Sequence, residues 1–231
     1  MKKTVPEKQK GDRTQRSLSG IFLRNTILPL IFLSVVVTMV ASHLVTKAIQ
    51  REVRTELSNA ADMLETTFDV VYPGDYQLVG TDQLVFTKGD QILSGHHELI
   101  DGFKKKTNLD YTVFYQDARV LTTITGDNQQ EIEGTGAHPK IVHDVLQQNH
   151  EAFYTNVEIK GVTYYAYYRP MYNSDGKAFG MIGIAKPRRD VQVTVWSVIQ
   201  PIILIALVCL ILAIYFSMTS SKKVLFSIRK T

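Results

Sequence analysis

The chain has 231 residues, a formal net charge of +4, 45% hydrophobic residues and one cysteine. A lone cysteine excludes an internal disulfide, so any folded region must be held by its own core. The apolar residues are crowded into two blocks flanked by Lys and Arg, so the basic excess is a topology signal and not a nucleic-acid footprint, and no nucleic-acid partner is expected.

Residues 1–24 carry Lys2, Lys3, Lys8, Lys10, Arg13, Arg16 and Arg24 against Glu7 and Asp12 and read as a basic cytoplasmic tail. Residues 25–46 hold no formally charged side chain, and these 22 positions suffice to cross a hydrocarbon layer of roughly 30 Å as a helix. The block exceeds the roughly 7 to 15 apolar residues of a signal peptide, which favours a retained transmembrane helix. Next, Ile49, Val53, Leu57, Ala60, Leu64, Phe68 and Val71 recur every three or four residues between charged neighbours, which predicts an amphipathic helix continuous with the span. Pro73 and Gly74 end it. Its distal half is expected to cover the domain's own sheet and its membrane-proximal half to form a seam between two protomers.

Leu99 to Thr107 reads as a helix. Tyr111 to Gln116 and Arg119 to Thr125 read as two short strands joined at Gln116, Asp117 and Ala118, after which Gly126, Asp127 and Asn128 break the pattern. Pro139 to Gln147 is a short helix with the proline in its first turn, where its missing N–H costs nothing. Three strands follow, at Phe153 to Ile159, Val162 to Arg169 and Ala178 to Lys186, with Lys160-Gly161 as a tight turn between the first two. Residues 47–190 are thus expected to form one α+β domain outside the cytoplasm, a long helix with an antiparallel sheet of about five strands. Residues 191–221 are uncharged for 31 positions, and 191–218 are read as the second transmembrane helix, with Trp196 and Tyr215 as interfacial anchors. Lys222, Lys223, Arg229 and Lys230 in the stub 219–231 place the second terminus in the cytoplasm with the first.

No Walker loop, dinucleotide fingerprint or nucleophile elbow occurs, so neither an enzyme nor a cofactor is expected. His96, His97, His138, His143 and His150 show no zinc spacing, so no metal site is expected.

The order of Thr112-Val-Phe-Tyr-Gln-Asp-Ala-Arg119-Val-Leu-Thr-Thr-Ile124, Gly134-Thr-Gly-Ala137, Tyr164-Tyr-Ala-Tyr-Tyr-Arg-Pro170 and Asp175-Gly-Lys-Ala-Phe-Gly-Met-Ile-Gly183 resembles the single Cache domains of bacterial chemoreceptors and sensor kinases. The resemblance implies a PAS-like five-stranded sheet on a long N-terminal helix, a pocket for a small ligand such as an organic acid or amino acid, and a homodimer that signals inward. It also implies a role for Arg119, since an arginine near this place holds a ligand carboxylate in acid-binding relatives. Their second arginine has Ala166 and Tyr167 as its closest positions here, with Arg169 farther along.

Alternation sends Tyr165 and Tyr167 to one face of their strand and Tyr164 and Tyr168 to the other, one pair for the core and one for the pocket or an interface. The candidate ligand set is Arg119, Tyr115, Thr123, Tyr165 and Tyr167. The loop 134–137 is read foremost as a helix cap and secondarily as an anion receiver. Residues 221–231 are similar to the opening of a HAMP helix, which leaves two readings: a truncated receptor, or a sensor subunit working through a separate cytoplasmic signalling partner. The competing function is a membrane-anchored protein-interaction module without a small-molecule ligand.

Overall fold

The computed structural model describes residues 7–80, 85–126 and 132–228; within the terminal helices the side chains of 7–24, 26, 218 and 220–228 lie outside the description. The expectations for the basic tail and for the HAMP-like side chains fall outside the described residues. The chain divides into two compact units, Ala48–Thr194 and Met1–Lys47 with Val195–Thr231.

Helix α1 (Glu7–Val71) contributes to both units. Its stop is encoded locally: Tyr72 N–H donates to Phe68 O at 2.8 Å, Pro73 cannot continue the ladder, and Gly74 turns the chain with φ +113. In the unit 48–194 the expected stripe is buried at Val53, Leu57, Ala60, Leu64 and Phe68, while Val71 is half exposed. Val53 and Leu57 belong to the membrane-proximal half that was expected to meet a second protomer. Their side chains are instead taken up by this chain's own core.

A small antiparallel sheet that no sequence period announces follows, β1 (Tyr76–Val79), β2 (Val85–Lys88) and β3 (Gln91–Ile92). Tyr76 stacks on Phe179 at 4.1 Å between ring centroids. The Asn173 side chain stands in for a strand residue, accepting from Tyr76 N–H and donating to Tyr76 O, each at 2.9 Å. After α2 (Glu98–Thr107) come β4 (Asp110–Tyr115), β5 (Ala118–Thr122), α3 (Pro139–Val142), a π-helical turn at His143–Gln147, β6 (Ala152–Ile159), β7 (Val162–Tyr172) and β8 (Ala178–Pro187). The main sheet has the order β5-β4-β8-β7-β6 and is antiparallel throughout. Lys160 and Gly161, with φ +49 and +76, make the tight β6–β7 turn in the left-handed region that a two-residue hairpin demands. β7 runs three residues past its expected end because Pro170 lies beyond the last β6 pair, Ala152 with Tyr168, at an edge where a missing donor is tolerated.

One face of this sheet carries α1. The Ser58 hydroxyl donates to Tyr167 Oη at 3.2 Å, Arg169 pairs with Asp62 and with Glu65 at 3.5 Å, and Lys186 of β8 reaches both oxygens of Glu56 at 2.8 and 2.7 Å. The other face carries α3 and the π turn over Phe114, Ile141, Val145, Tyr164, Tyr168 and Met181. Helix α4 (Arg188–Ile228) begins at the residue after β8 ends.

In the other unit, the apolar stretches of α1 and α4 are long and apolar enough to cross a membrane, with mean hydropathy of 2.2 and 2.8. Two apolar grooves of about 380 and 370 Å³ run between Ser34 and Thr38 on one helix and Ala206 and Leu210 on the other. Trp196 and Tyr215 are each 63% exposed, as residues facing lipid would be. Two such helices flanking one folded domain fit a membrane protein.

Candidate ligand-binding site

A cleft of about 370 Å³ opens on the α3 face of the sheet, which is small-molecule size. Its apolar wall comes from Ile132, Ala137, Ile141, Val157, Ile159 and Tyr168, its polar groups from Arg119, Thr135, Gly136, His138, Glu158 and Lys160.

Arg119 is the unusual member. The two-residue β4–β5 turn, with Gln116 at φ +50, delivers it to the start of β5, where its side chain is 8% exposed. Backbone pairs fix the loop beside it: Arg119 N–H donates to Thr135 O at 3.0 Å, Gly134 N–H to Arg119 O at 2.8 Å and Ala137 N–H to Asp117 O at 2.7 Å. Nη1 then donates to Thr135 Oγ1 at 2.6 Å and to Gly136 O at 3.2 Å, while Phe114 lies 5.1 Å beneath the guanidinium. Nε is buried without an acceptor, and no carboxylate among the described residues pairs with the group. Burial pulls its pKa below the usual arginine value, opposed by Tyr168. An arginine does not shed its proton in a protein, so the physical reading is a buried, uncompensated cation at a cleft wall. The cap of α3 is His138, whose Nδ1 accepts from Lys140 N–H at 3.2 Å, and not the loop 134–137, which instead holds this cation.

Tyr168 occupies the floor. Its cross-strand partner is Gly183, where a Cβ would stand 2.8 Å from Tyr168 Cε1 and 3.2 Å from Phe114 Cε2. Glycine there lets both rings, tilted 55° to each other, approach β8 closely. Burial raises the Tyr168 hydroxyl to about 12, with Arg119 pulling it back. Gly183→Ala is expected to turn the Tyr168 ring into the cleft, lowering stability by about 1–3 kcal/mol and weakening ligand binding. Thermal unfolding of the full chain with and without ligand checks both effects.

After α3, the π turn places Val145 in the core and leaves Asp144 partly exposed. Asp144 pairs with Lys140, accepts from the Tyr154 hydroxyl at 2.6 Å and contacts His143, and the Lys140 hydrogen bond foremost holds its carboxyl well below the ordinary range. A π turn is a common marker of functional sites. Here it ties the α3 segment to β6.

Of the five residues proposed from sequence, the cleft brings in Arg119 alone. Thr123 is buried in a polar knot under α2, where its hydroxyl donates to Asp110 Oδ1 and accepts from Tyr111 N–H, each at 3.0 Å. Tyr115 ends β4 half buried, opposite Ala118 and Gly180. Tyr165 stacks on Phe153, and Tyr167 bonds Ser58 of α1. Arg169 follows them on that face and is engaged by Asp62, Glu65 and Glu151. Alternation placed the tyrosine pairs on opposite faces as expected, and the pair at the cleft is the one containing Tyr168. The facing Gly183 was the available signal, since an aromatic ring packs readily over a cross-strand glycine. Among the described residues no cluster of His, Cys, Asp and Glu has the makings of a metal site.

Residues 91–198 match the family described as single Cache domain 3. This segment is a single Cache domain. No curated protein matches the sequence. Among solved structures, the Cache segment and its flanks resemble the Escherichia coli DcuS sensor domain with a TM-score of 0.34 and 16% identity, over 43% of this chain and 71% of that one. They also resemble the ligand-binding domain of the Campylobacter jejuni chemoreceptor Tlp3 in complex with L-valine, with a TM-score of 0.31 and 14% identity, over 79% of this chain and 66% of that one. The same domain with isoleucine bound gives a TM-score of 0.31 and 16% identity over the same shares. The chain therefore spans just under two thirds of the Tlp3 domain.

Proposed function

We propose that this protein is a non-catalytic transmembrane sensor whose outer domain binds a small anionic molecule in the Arg119 cleft and passes its occupancy through β8 into α4. One observation carries the reading: a cation more than nine-tenths buried, with Nε unpartnered, lines a cleft of small-molecule size. Burying such a charge is costly unless an anion completes it. In this reading the spans are residues 25–46 and 191–218, the sensor is 47–190, both termini are cytoplasmic, and the working unit is a homodimer beside a cytoplasmic signalling partner.

The route inward rests on connectivity. β8 lies between β4 and β7, contributes Gly183 and Met181 beneath the cleft, and continues into α4 with no loop between Pro187 and Arg188. A ligand moves that strand only if it binds two arrangements with different affinity, a coupling of typically about 1–3 kcal/mol.

Cys209, the single cysteine, lies on α4 and serves as a native reporter. In lipid nanodiscs holding the full chain, its labelling rate with a membrane-permeant maleimide is expected to change when acetate, isovalerate, succinate or citrate binds, with the same concentration dependence as binding itself. Binding that leaves the Cys209 rate untouched would remove the relay. An absence of binding by any of these acids would favour an interaction module instead.

A further inference from the structure

We infer that the end of the outer domain from which both connections to the membrane spans depart is a docking surface for the headgroups of anionic phospholipids. The inference rests on the transmembrane reading proposed above and adds a contact, between the domain and the lipid surface, that ligand binding does not require.

Strand register fixes which side chains share that end. β8 runs into α4, and Asp110 at the start of β4 pairs with its Ala185, Tyr164 near the start of β7 with its Pro187. The last turn of α2, which leads into β4, therefore lies at the α4 end of the sheet, and so does the β6–β7 turn, which enters β7 before Tyr164. β6 points the same way: Arg188 Nη1 donates to Asn156 Oδ1 at 2.8 Å, and Lys160 follows farther along that strand's course. On α1, Glu56 meets Lys186, so Arg51 and Arg54, on the stretch before Glu56, fall at the same end.

Segments distant in sequence thus pool their cations. Lys104 is taken by Asp110 and Lys186 by Glu56, each at 2.7 Å. Arg51, Arg54, Lys105, Lys106, Lys160 and Arg189 are exposed and form no ion pair with a described residue. Against them, the carboxylates left unpaired at this end among the described residues are Glu52, Glu158 and Asp190. The opposite end has the other sign: its turns carry Asp75, Asp90, Asp117 and Asp175, while Lys88 is paired with Asp69 and Lys177 lies 3.4 Å from Asp175. Local helix chemistry does not explain the surplus, because Arg188 and Arg189 open α4, where the helix dipole disfavours cations. Both links to the spans leave through this end, so the surface next to it along the chain is the bilayer. With spans at 25–46 and 191–218, Arg51 follows the first by roughly 7.5 Å of helix and Arg189 precedes the second by about 3 Å, which puts both at the depth of the headgroup layer. Anionic headgroups attract clustered Lys and Arg over roughly one Debye length, about 10 Å at 0.1 M salt.

The test is site-resolved acetylation of the full chain in nanodiscs with an uncharged lysine reagent, in phosphatidylcholine alone and with about 30% phosphatidylglycerol added. Phosphatidylglycerol is expected to slow Lys105, Lys106 and Lys160 by roughly fivefold or more, and to leave Lys177 at the opposite end within about twofold. Raising NaCl to about 1 M, which shortens the Debye length to about 3 Å, is expected to restore the rates. In the combined variant Lys105→Gln, Lys106→Gln and Arg189→Gln, all at exposed positions, the protection of Lys160 is expected to fall below about twofold. That arm separates docking from the bare surface potential of the lipid, which the variant does not alter. Equal rates in the two bilayers overturn the inference and leave the sensor reading standing, as does Lys160 protection that survives the variant or the salt. Protection of Lys177 equal to that of Lys160 overturns it too, because the polarity of the domain would then play no part. A chain that fails to co-elute with the nanodiscs overturns the inference and the transmembrane reading together.

Discussion

Gly180→Ala is expected to abolish the folded outer domain. A Cβ at this position would stand 1.8 Å from Phe114 O and 2.9 Å from Phe114 C, both backbone atoms of the neighbouring strand β4. No rotamer change relieves such an overlap, because the obstacle is a peptide group locked by the β4–β8 ladder, where Phe114 pairs with Met181 and Tyr115 with Gly180 itself. Separating the two strands would disrupt the middle of the sheet, at a cost above about 4 kcal/mol against a typical domain stability of about 5–15 kcal/mol. Circular dichroism and limited proteolysis of the full chain in detergent should then show the terminal helices retained and the outer domain digested. The same substitution at Gly102 in α2 is expected to act in the opposite direction. Nothing lies within 4 Å of a Cβ there, and exchanging glycine for alanine inside a helix contributes about 1 kcal/mol. A Gly180→Ala chain that melts like the wild type would show that the β4–β8 approach is misplaced.

Arg119→Met is expected to separate binding from stability. Methionine has comparable length and no charge to desolvate, so removing a buried cation with an unpartnered Nε should leave the unfolding midpoint unchanged or a few degrees higher. Gly136 is exposed, so its carbonyl can turn to water when Nη1 is lost. Thr135 Oγ1 keeps its own bond, donating to Ile132 O at 2.8 Å. Ligand binding should collapse. Two charge-assisted hydrogen bonds at about 1.5 kcal/mol or more each amount to at least ~100-fold in affinity. Calorimetry for the acid and differential scanning for the midpoint check the two halves separately. Retained affinity would remove Arg119 from the site, and a large drop in midpoint would make it a structural arginine.

The α+β architecture was legible where one period dominates. The α1 stripe from Val53 to Phe68 leaves a repeat that survives in a single sequence, while β7 and β8, buried on both faces, stand out as apolar and aromatic runs bounded by turn residues. The β1–β3 sheet was not legible, for a reason visible at Lys88. This residue points inward on β2 with its side chain only 5% exposed, its ammonium 2.9 Å from Asp69 Oδ1 and 2.8 Å from Gly74 O, and 4.0 Å over the Tyr76 ring. A charged residue at a core position erases the alternation on which strand reading depends. The site was half legible. A lone arginine after a tight turn stands out, but which tyrosines accompany it depends on which face α1 covers, and that is decided by Ser58, Asp62 and Glu56 from far along the chain. Thr123 misled because a buried hydroxyl bonded to Asp110 has the same one-letter pattern as a pocket hydroxyl.

The handover from Pro187 to Arg188 has a geometric consequence of its own. A strand advances about 3.3 Å per residue and repeats its face every second one, whereas a helix advances about 1.5 Å and turns by about 100°. With no slack between them, the pleat phase of β8 sets the azimuth at which α4 starts, so the two behave as meshed gears of unequal pitch. An extra residue at the joint would leave every pair in the sheet intact while re-aiming each side chain that follows it.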